Sequence, residues 1–176
     1  MIKNRICVVV VLIICMFKCR VDDSGNQICG NTSFFPVFSD YTSTDILGIQ
    51  TGLYDSTDWV NDTNWLICEE NLFPQFQNLT KGFEKYSNIQ ISPAFPNPTN
   101  SSIIFNYSKE SDVRFSFRIV NKNLKIIRSL DSIYNNSVLI NVKDVVSASD
   151  KIVRIYYFFE RNDSCLYKGH GDLKIN

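Results

Sequence analysis

The chain has 176 residues, 44% hydrophobic and 13% aromatic, which is enough for one ordinary domain or a small domain with a tail. Its 18 basic residues balance 18 acidic ones, so no long-range positive field gathers phosphates, and nucleic acid is excluded as a default partner. Gly and Pro are scarce, which excludes a low-complexity or collagen-like chain. Abundant Asn and Ser favour turns over helix interiors and lean the composition towards a β-rich fold.

In chain order, Lys3 and Arg5 precede an unbroken apolar run from Ile6 to Phe17. A short positive segment followed by roughly 7–15 apolar residues is the pattern of an export signal, and a membrane span needs about 20. Residues 1–18 are therefore expected to form a signal helix, and 19–33 a polar tether. The run closes on Cys19, in Cys15-Met16-Phe17-Lys18-Cys19-Arg20-Val21-Asp22-Asp23-Ser24-Gly25. This stretch resembles bacterial lipoproteins of the Bacteroidetes group, in which a cysteine just after the apolar run becomes the lipidated first residue. The resemblance implies lipid attachment at Cys19, with Cys15 as the competing site. It implies a membrane partner through that lipid, since burying acyl chains contributes about 0.8 kcal/mol per CH₂. Arg20, Asp22 and Asp23 resemble the stretch that marks such proteins for the outer membrane and the cell surface.

Past the signal and the anchor, Cys29, Cys68 and Cys165 remain. An oxidising compartment allows one disulfide among them. Cys29 with Cys68 is the expected pair, because both lie in the N-terminal part, and Cys165 is left free in a strand. No CxxC spacing follows the signal, so neither a zinc site nor a redox motif is expected, and no cofactor.

Residues 34–86 read as an irregular region rich in aromatic residues and Asp. They contain a short repetition, Asp55-Ser56-Thr57-Asp58-Trp59-Val60 followed by Asn61-Asp62-Thr63-Asn64-Trp65-Leu66. The two tryptophans would anchor the segment on a neighbouring fold. From 87 to 176 the pattern becomes that of strands. Ile89–Ser92 is a short strand that runs into the rigid turn Pro93-Ala94-Phe95-Pro96-Asn97-Pro98. Ser102–Tyr107 follows. Val113, Phe115, Phe117 and Ile119 then alternate with Arg114, Ser116 and Arg118, which predicts one buried and one exposed face. Asn121-Lys122-Asn123 turns the chain into Leu124–Leu130, and Val138–Val142 alternates again. Ile152–Glu160 is apolar on both faces and should be a central strand, with Asp172–Ile175 closing the sheet. About seven short strands is the scale of a small antiparallel Ig-like β-sandwich, so the expected fold class is all-β.

The turn and the hairpin after it carry a second resemblance. Ile91-Ser92-Pro93-Ala94-Phe95-Pro96-Asn97-Pro98, Ser111-Asp112-Val113-Arg114-Phe115 and Ile119-Val120-Asn121-Lys122-Asn123-Leu124-Lys125-Ile126-Ile127 are similar to the C-terminal sorting domain of type IX secretion substrates. That family implies a small β-sandwich read as an address tag.

Candidate chemistry is sparse. His170 is the sole histidine, and its flanking Gly169 and Gly171 predict a hairpin turn rather than a general base or metal ligand. Asp55, Asp58, Asp62, Glu69 and Glu70 form the densest acidic stretch, expected as a solvated loop without an EF-hand pattern. No nucleophile elbow, HExxH or phosphate loop is present, so no catalytic residue and no metal ligand is assigned. Lys122, Lys125 and Arg128 are expected on the exposed face of a hairpin. The sequons at Asn31, Asn61, Asn78 and Asn106 are expected by chance in an Asn-rich bacterial chain. The sequence thus leads to a lipid-anchored envelope protein whose sandwich is a non-catalytic binding or structural module, with a protein or glycan partner at the surface. The alternatives are a type IX substrate with the sandwich as its tag, and a small hydrolase using Asp58 or Asp62.

Overall fold

A computed structural model describes residues 36–38, 40–75, 79, 88–143 and 151–176. The signal run, the tether, and Cys15, Cys19 and Cys29 lie outside the described residues, as do Asn31 and Asn78.

Among the described residues one short helix precedes seven strands. They are α1 (Ile67–Glu70), β1 (Gln90–Ile91), β2 (Ser102–Ser108), β3 (Arg114–Val120), β4 (Ile126–Ile133), β5 (Ser137–Asn141), β6 (Ile152–Arg161) and β7 (Ser164–Lys174). They form two sheets, ordered β1-β2-β5 and β4-β3-β6-β7, in which every strand pairing is antiparallel. The fold is an all-β sandwich, as the strand rhythm predicts.

Period-2 alternation builds the core. Ile103, Phe105 and Tyr107 of β2 face Phe115, Phe117 and Ile119 of β3 and Val153, Ile155, Tyr157 and Phe159 of β6. Phe105 meets Phe115 edge-on at 5.6 Å between ring centres, and Tyr107 lies 4.3 Å from Phe115. Fully burying each such side chain contributes about 1.5–3 kcal/mol. β6 lies between β3 and β7 and is buried from Val153 to Glu160, which matches its two-sided apolar pattern.

Two expectations are corrected. The outer face of β3 is not exposed: Ser116, Arg118 and Val120 are buried. The stretch around α1 covers this face, where Trp65, Leu72 and Phe73 pack with Val120, Tyr156, Phe158 and Cys165. Arg118 survives burial because its guanidinium donates to the Leu72 carbonyl at 3.0 Å and forks onto Asp131 at 2.7 and 3.1 Å. The described part of residues 34–86 is thus packed on the sandwich, adding a second apolar layer to one sheet.

The Gly169-His170-Gly171 segment is not a turn either. It lies inside β7, and the chain reverses earlier, at Asn162 and Asp163, which both take positive φ as a two-residue hairpin loop requires. The two glycines face the core. A Cβ on Gly171 would collide with the Trp59 indole, and one on Gly169 with the Val60 carbonyl and the Tyr157 hydroxyl. Glycine here makes room for a neighbour rather than for a bend.

That neighbour is the tryptophan repetition, which wraps the edge of β7. The Trp59 N–H donates to the His170 carbonyl at 2.7 Å and the Asp62 N–H to the Lys168 carbonyl at 2.8 Å, so edge groups of the last strand are paired. Trp59 enters the core, where its ring stacks with Tyr157 at 6.2 Å and meets Phe105 at 5.1 Å. Six residues on, Trp65 lies on the opposite face of the same sheet, against Phe73 and Tyr156. The segment clasps the sheet edge with one indole on each side. Trp59 holds φ at 60° to do so, a strain that burial of the largest side chain offsets.

Candidate interaction surface

The Pro-flanked Asn97 organises the end of the sandwich that carries residues 43–54. Phe95–Pro96 and Asn97–Pro98 are both cis, and Asn97 is fully buried. Its Nδ2 donates to the carbonyls of Thr42 at 2.8 Å and Asp172 at 2.9 Å, while its Oδ1 accepts the Lys174 N–H at 2.9 Å. Asp58 addresses the same two residues from their other side, its carboxylate accepting the N–H groups of Thr42 and Asp172 at 2.9 Å each. Two side chains therefore bridge the backbone at Thr42 and at Asp172. Asn97 satisfies their acceptors and Asp58 their donors.

This bridge roots a hairpin-like arm. Thr44 and Asn97 exchange backbone hydrogen bonds of 2.7 and 3.0 Å, and the Thr44 hydroxyl donates to the Ala94 carbonyl at 2.9 Å. Along the arm the Ser43 N–H donates to the Leu53 carbonyl and the Thr51 N–H to the Ser43 carbonyl, both at 2.9 Å. At the tip the Asp45 carboxylate accepts the N–H groups of Leu47 and Ile49 at 2.8 and 2.9 Å. Gly48, at φ +80°, supplies the left-handed turn with the Phe95 ring against it. The backbone is fastened, yet its apolar side chains point outward: Ile46, Leu47, Ile49, Leu53 and Tyr54 are 55–77% exposed. Five of the twelve exposed large apolar residues among the described residues lie on this one short, hydrogen-bonded arm, which makes it the candidate interaction surface.

The acidic stretch is brought together with the arm's root, but not as a solvated loop. Asp58 and Glu69 are buried, which corrects that expectation. Asp172, with its carboxyl raised by burial against the opposing pull of Arg154, is gripped by the Arg154 guanidinium at 2.6 and 2.8 Å. Burial, helped by the Asp172 charge, pushes the Asp58 carboxyl up to about 7. Glu69 accepts the Leu66 N–H at the start of α1 and the Tyr156 hydroxyl, both at 2.5 Å. Asp55 closes a local turn with Thr57, and Glu70 pairs with Lys168 at 3.0 Å. His170 Nδ1 lies 3.4 Å from Asp62, whose carboxyl is held low chiefly by that histidine. Most of these carboxylates hold backbone amides or cations and so serve the fold. Neither Asp58 nor Asn97 stands out in the sequence for this role. The only hint is that each sits where a turn meets an aromatic residue.

Cys68 is disulfide-bonded with its partner outside the described residues, and Cys165 is a buried free thiol in β7. Lys122 and Lys125 are exposed on the β3–β4 turn, and Arg128 reaches the Asn141 carbonyl at 3.3 Å. At the other end of the sandwich a cleft of about 330 Å³ is lined by Gln75, Arg114, Asp131 and Glu160. Asp163 lines it too, Arg114 pairs with Glu160 at 3.6 Å, and Asp131 pairs with Arg118 and accepts a hydrogen bond from Gln75. No described helix is long and apolar enough to cross a membrane, and no group of three metal-ligating side chains occurs among the described residues. Compared with known proteins, the chain matches no family model, no curated protein and no solved structure.

Proposed function

We propose that the protein is an exported, lipid-anchored envelope module that binds a protein partner through the arm of residues 43–54 and carries out no catalysis itself. The observation that carries the binding role is the outward apolar arm on a buried hydrogen-bonded root. Exposed aliphatic side chains on a fastened backbone lose little conformational entropy when a partner covers them. Each one covered contributes on the order of 1.5–3 kcal/mol. Export is supported by the disulfide at Cys68, because such bonds persist in oxidising compartments. The Pro96-Asn97-Pro98 turn and the hairpin after it support a second reading, in which the sandwich is a type IX address tag.

Two measurements test the first reading. Intact-mass and acyl-chain analysis of membrane-extracted protein should show acylation that is lost in Cys19→Ser and retained in Cys15→Ser. A photo-reactive side chain at position 47 should form a discrete cross-linked adduct on intact cells, and one at position 122 should not. Equal labelling from both positions would remove the arm as a binding surface. Proteolytic loss of residues 87–176 from secreted material would favour the address-tag reading.

A further inference from the structure

The chain contains seven Asn-x-Ser/Thr tripeptides, beginning at Asn31, Asn61, Asn78, Asn100, Asn106, Asn135 and Asn162. With 18 asparagines and 26 serines and threonines in 176 residues, chance places about three. Seven exceeds that number, so chance in an Asn-rich chain does not by itself account for the tripeptides. The fold adds a second, independent observation, which is where these asparagines lie.

Five of the seven fall among the described residues, and none of the five is buried. Asn61, Asn100, Asn135 and Asn162 are exposed, and Asn106 is half-buried on the outward face of β2. Asn61 flanks the edge of β7, Asn100 precedes β2, Asn135 sits in the β4–β5 connection and Asn162 at the tip of the β6–β7 hairpin. Asn97 is the single buried asparagine among the described residues. It too has a Thr two positions on, but Pro98 stands between them, the one residue that disqualifies the tripeptide as an acceptor. The asparagine that the fold needs as a bare amide is therefore the one the tripeptide rule excludes. The four exposed ones each keep Nδ2 for a substituent: at Asn61 the Oδ1 accepts the Lys168 N–H at 3.4 Å, and its Nδ2 takes no part in that bond.

We infer that Asn61, Asn100, Asn135 and Asn162 are modification sites that carry N-linked oligosaccharides. The donor is a polyprenyl-diphosphate-linked oligosaccharide in the export compartment. The asparagine Nδ2 forms a bond to the anomeric carbon as the bond from that carbon to the phosphate oxygen breaks. The polyprenyl diphosphate leaves with the electron pair, and Nδ2 gives up one proton to the transferase. Transfer precedes folding, since the Ser164 hydroxyl of the Asn162 tripeptide is buried in β7. The folded protein then only has to leave each glycan in solvent. The glycans would stand beside the edge of β7 and at turns, and no such tripeptide lies within the apolar arm. The inference shares with the proposed function its requirement for export, but not acylation at Cys19.

The test is mass spectrometry with electron-transfer fragmentation on the protein purified from the organism that encodes it, with the state of its N-terminus read from the same digest. The expected result is hexose and N-acetylhexosamine mass on Asn61, Asn100, Asn135 and Asn162, with Asn97 bare. In that organism, Asn100→Gln and Asn135→Gln should each lose one glycan while the melting temperature stays within about 2 °C. Bare asparagines at all four positions, in protein whose signal segment has been removed or acylated, would overturn the inference and leave export standing. Bare asparagines with the signal retained and unmodified would overturn export with it.

Discussion

Replacing Asn97 by aspartate exposes the bridge to a direct test, because the change conserves shape and alters only the donors. The wild-type amide donates at 2.8 and 2.9 Å to the carbonyls of Thr42 and Asp172. In Asn97→Asp one oxygen still accepts the Lys174 N–H, while the other faces those two carbonyls with no proton to offer. A buried group left without its partner costs about 1–3 kcal/mol, so two lost donations amount to about 2–6 kcal/mol near neutral pH. The new carboxyl is fully buried and faces acceptors, so its pKa in the folded state lies above the value of about 3.9 in the unfolded chain. The folded variant then binds the extra proton between these two values. Its deficit relative to wild type narrows as pH falls through the raised pKa, because the protonated acid restores one donor. Urea unfolding followed by fluorescence of the buried Trp59 and Trp65, at pH 7.5 and pH 4.5, measures both effects. Asn100→Asp, at an exposed position, should lie within about 0.5 kcal/mol of wild type and serves as the control. A deficit below about 1 kcal/mol for Asn97→Asp, or one that does not shrink at the lower pH, would refute the bridge.

Asp58 makes a related prediction with its own sign. Its folded-state carboxyl is raised to about 7, so its contribution to stability is fully present below about pH 4 and is lost as pH rises through about 7. The slope is at most about 1.4 kcal/mol per pH unit, and Asp58→Asn should flatten the stability profile between those limits. A variant profile parallel to that of wild type would contradict it. Gly171→Ala should destabilise by about 3 kcal/mol or more, since the new methyl displaces the Trp59 indole, with a red shift of the indole emission. Gly52→Ala, at φ +90° with open space around it, should cost only about 1–2 kcal/mol, and the reverse ranking would mean that Trp59 is not seated as described. The Cys165 thiol, buried and pushed up to about 12, should resist alkylation at pH 8 until denaturant is added. Peptide mapping reads this at that residue alone. Reducing the disulfide at Cys68 should lower stability by about 2–4 kcal/mol in the same urea assay.

Much of the sandwich is legible in the sequence because strand signals are local. The alternation from Val113 to Ile119, the two-sided run from Ile152 to Glu160 and the Asn121-Lys122-Asn123 turn each need only their own neighbours to be read, and each lies where its pattern implies. The tryptophan repetition was visible as an anchor, though not that its two rings take opposite faces of one sheet. The glycines around His170 show why a local rule can mislead. In the sequence they suggest a reversal, whereas in the fold they are the absence of two side chains where another segment passes. The same holds for Arg118 and Ser116, which read as surface until a segment some 50 residues away covers them. Asp58 and Asn97 act on Thr42 and Asp172 across separations of 16 to 114 residues, and no periodicity records such distances. By itself, the sequence determined the strand rhythm, the buried stripes and the all-β class, since those follow from side-chain alternation within a few residues. Only the tertiary structure decided which polar groups became the bridge and which apolar arm was left exposed, because both depend on which segments meet.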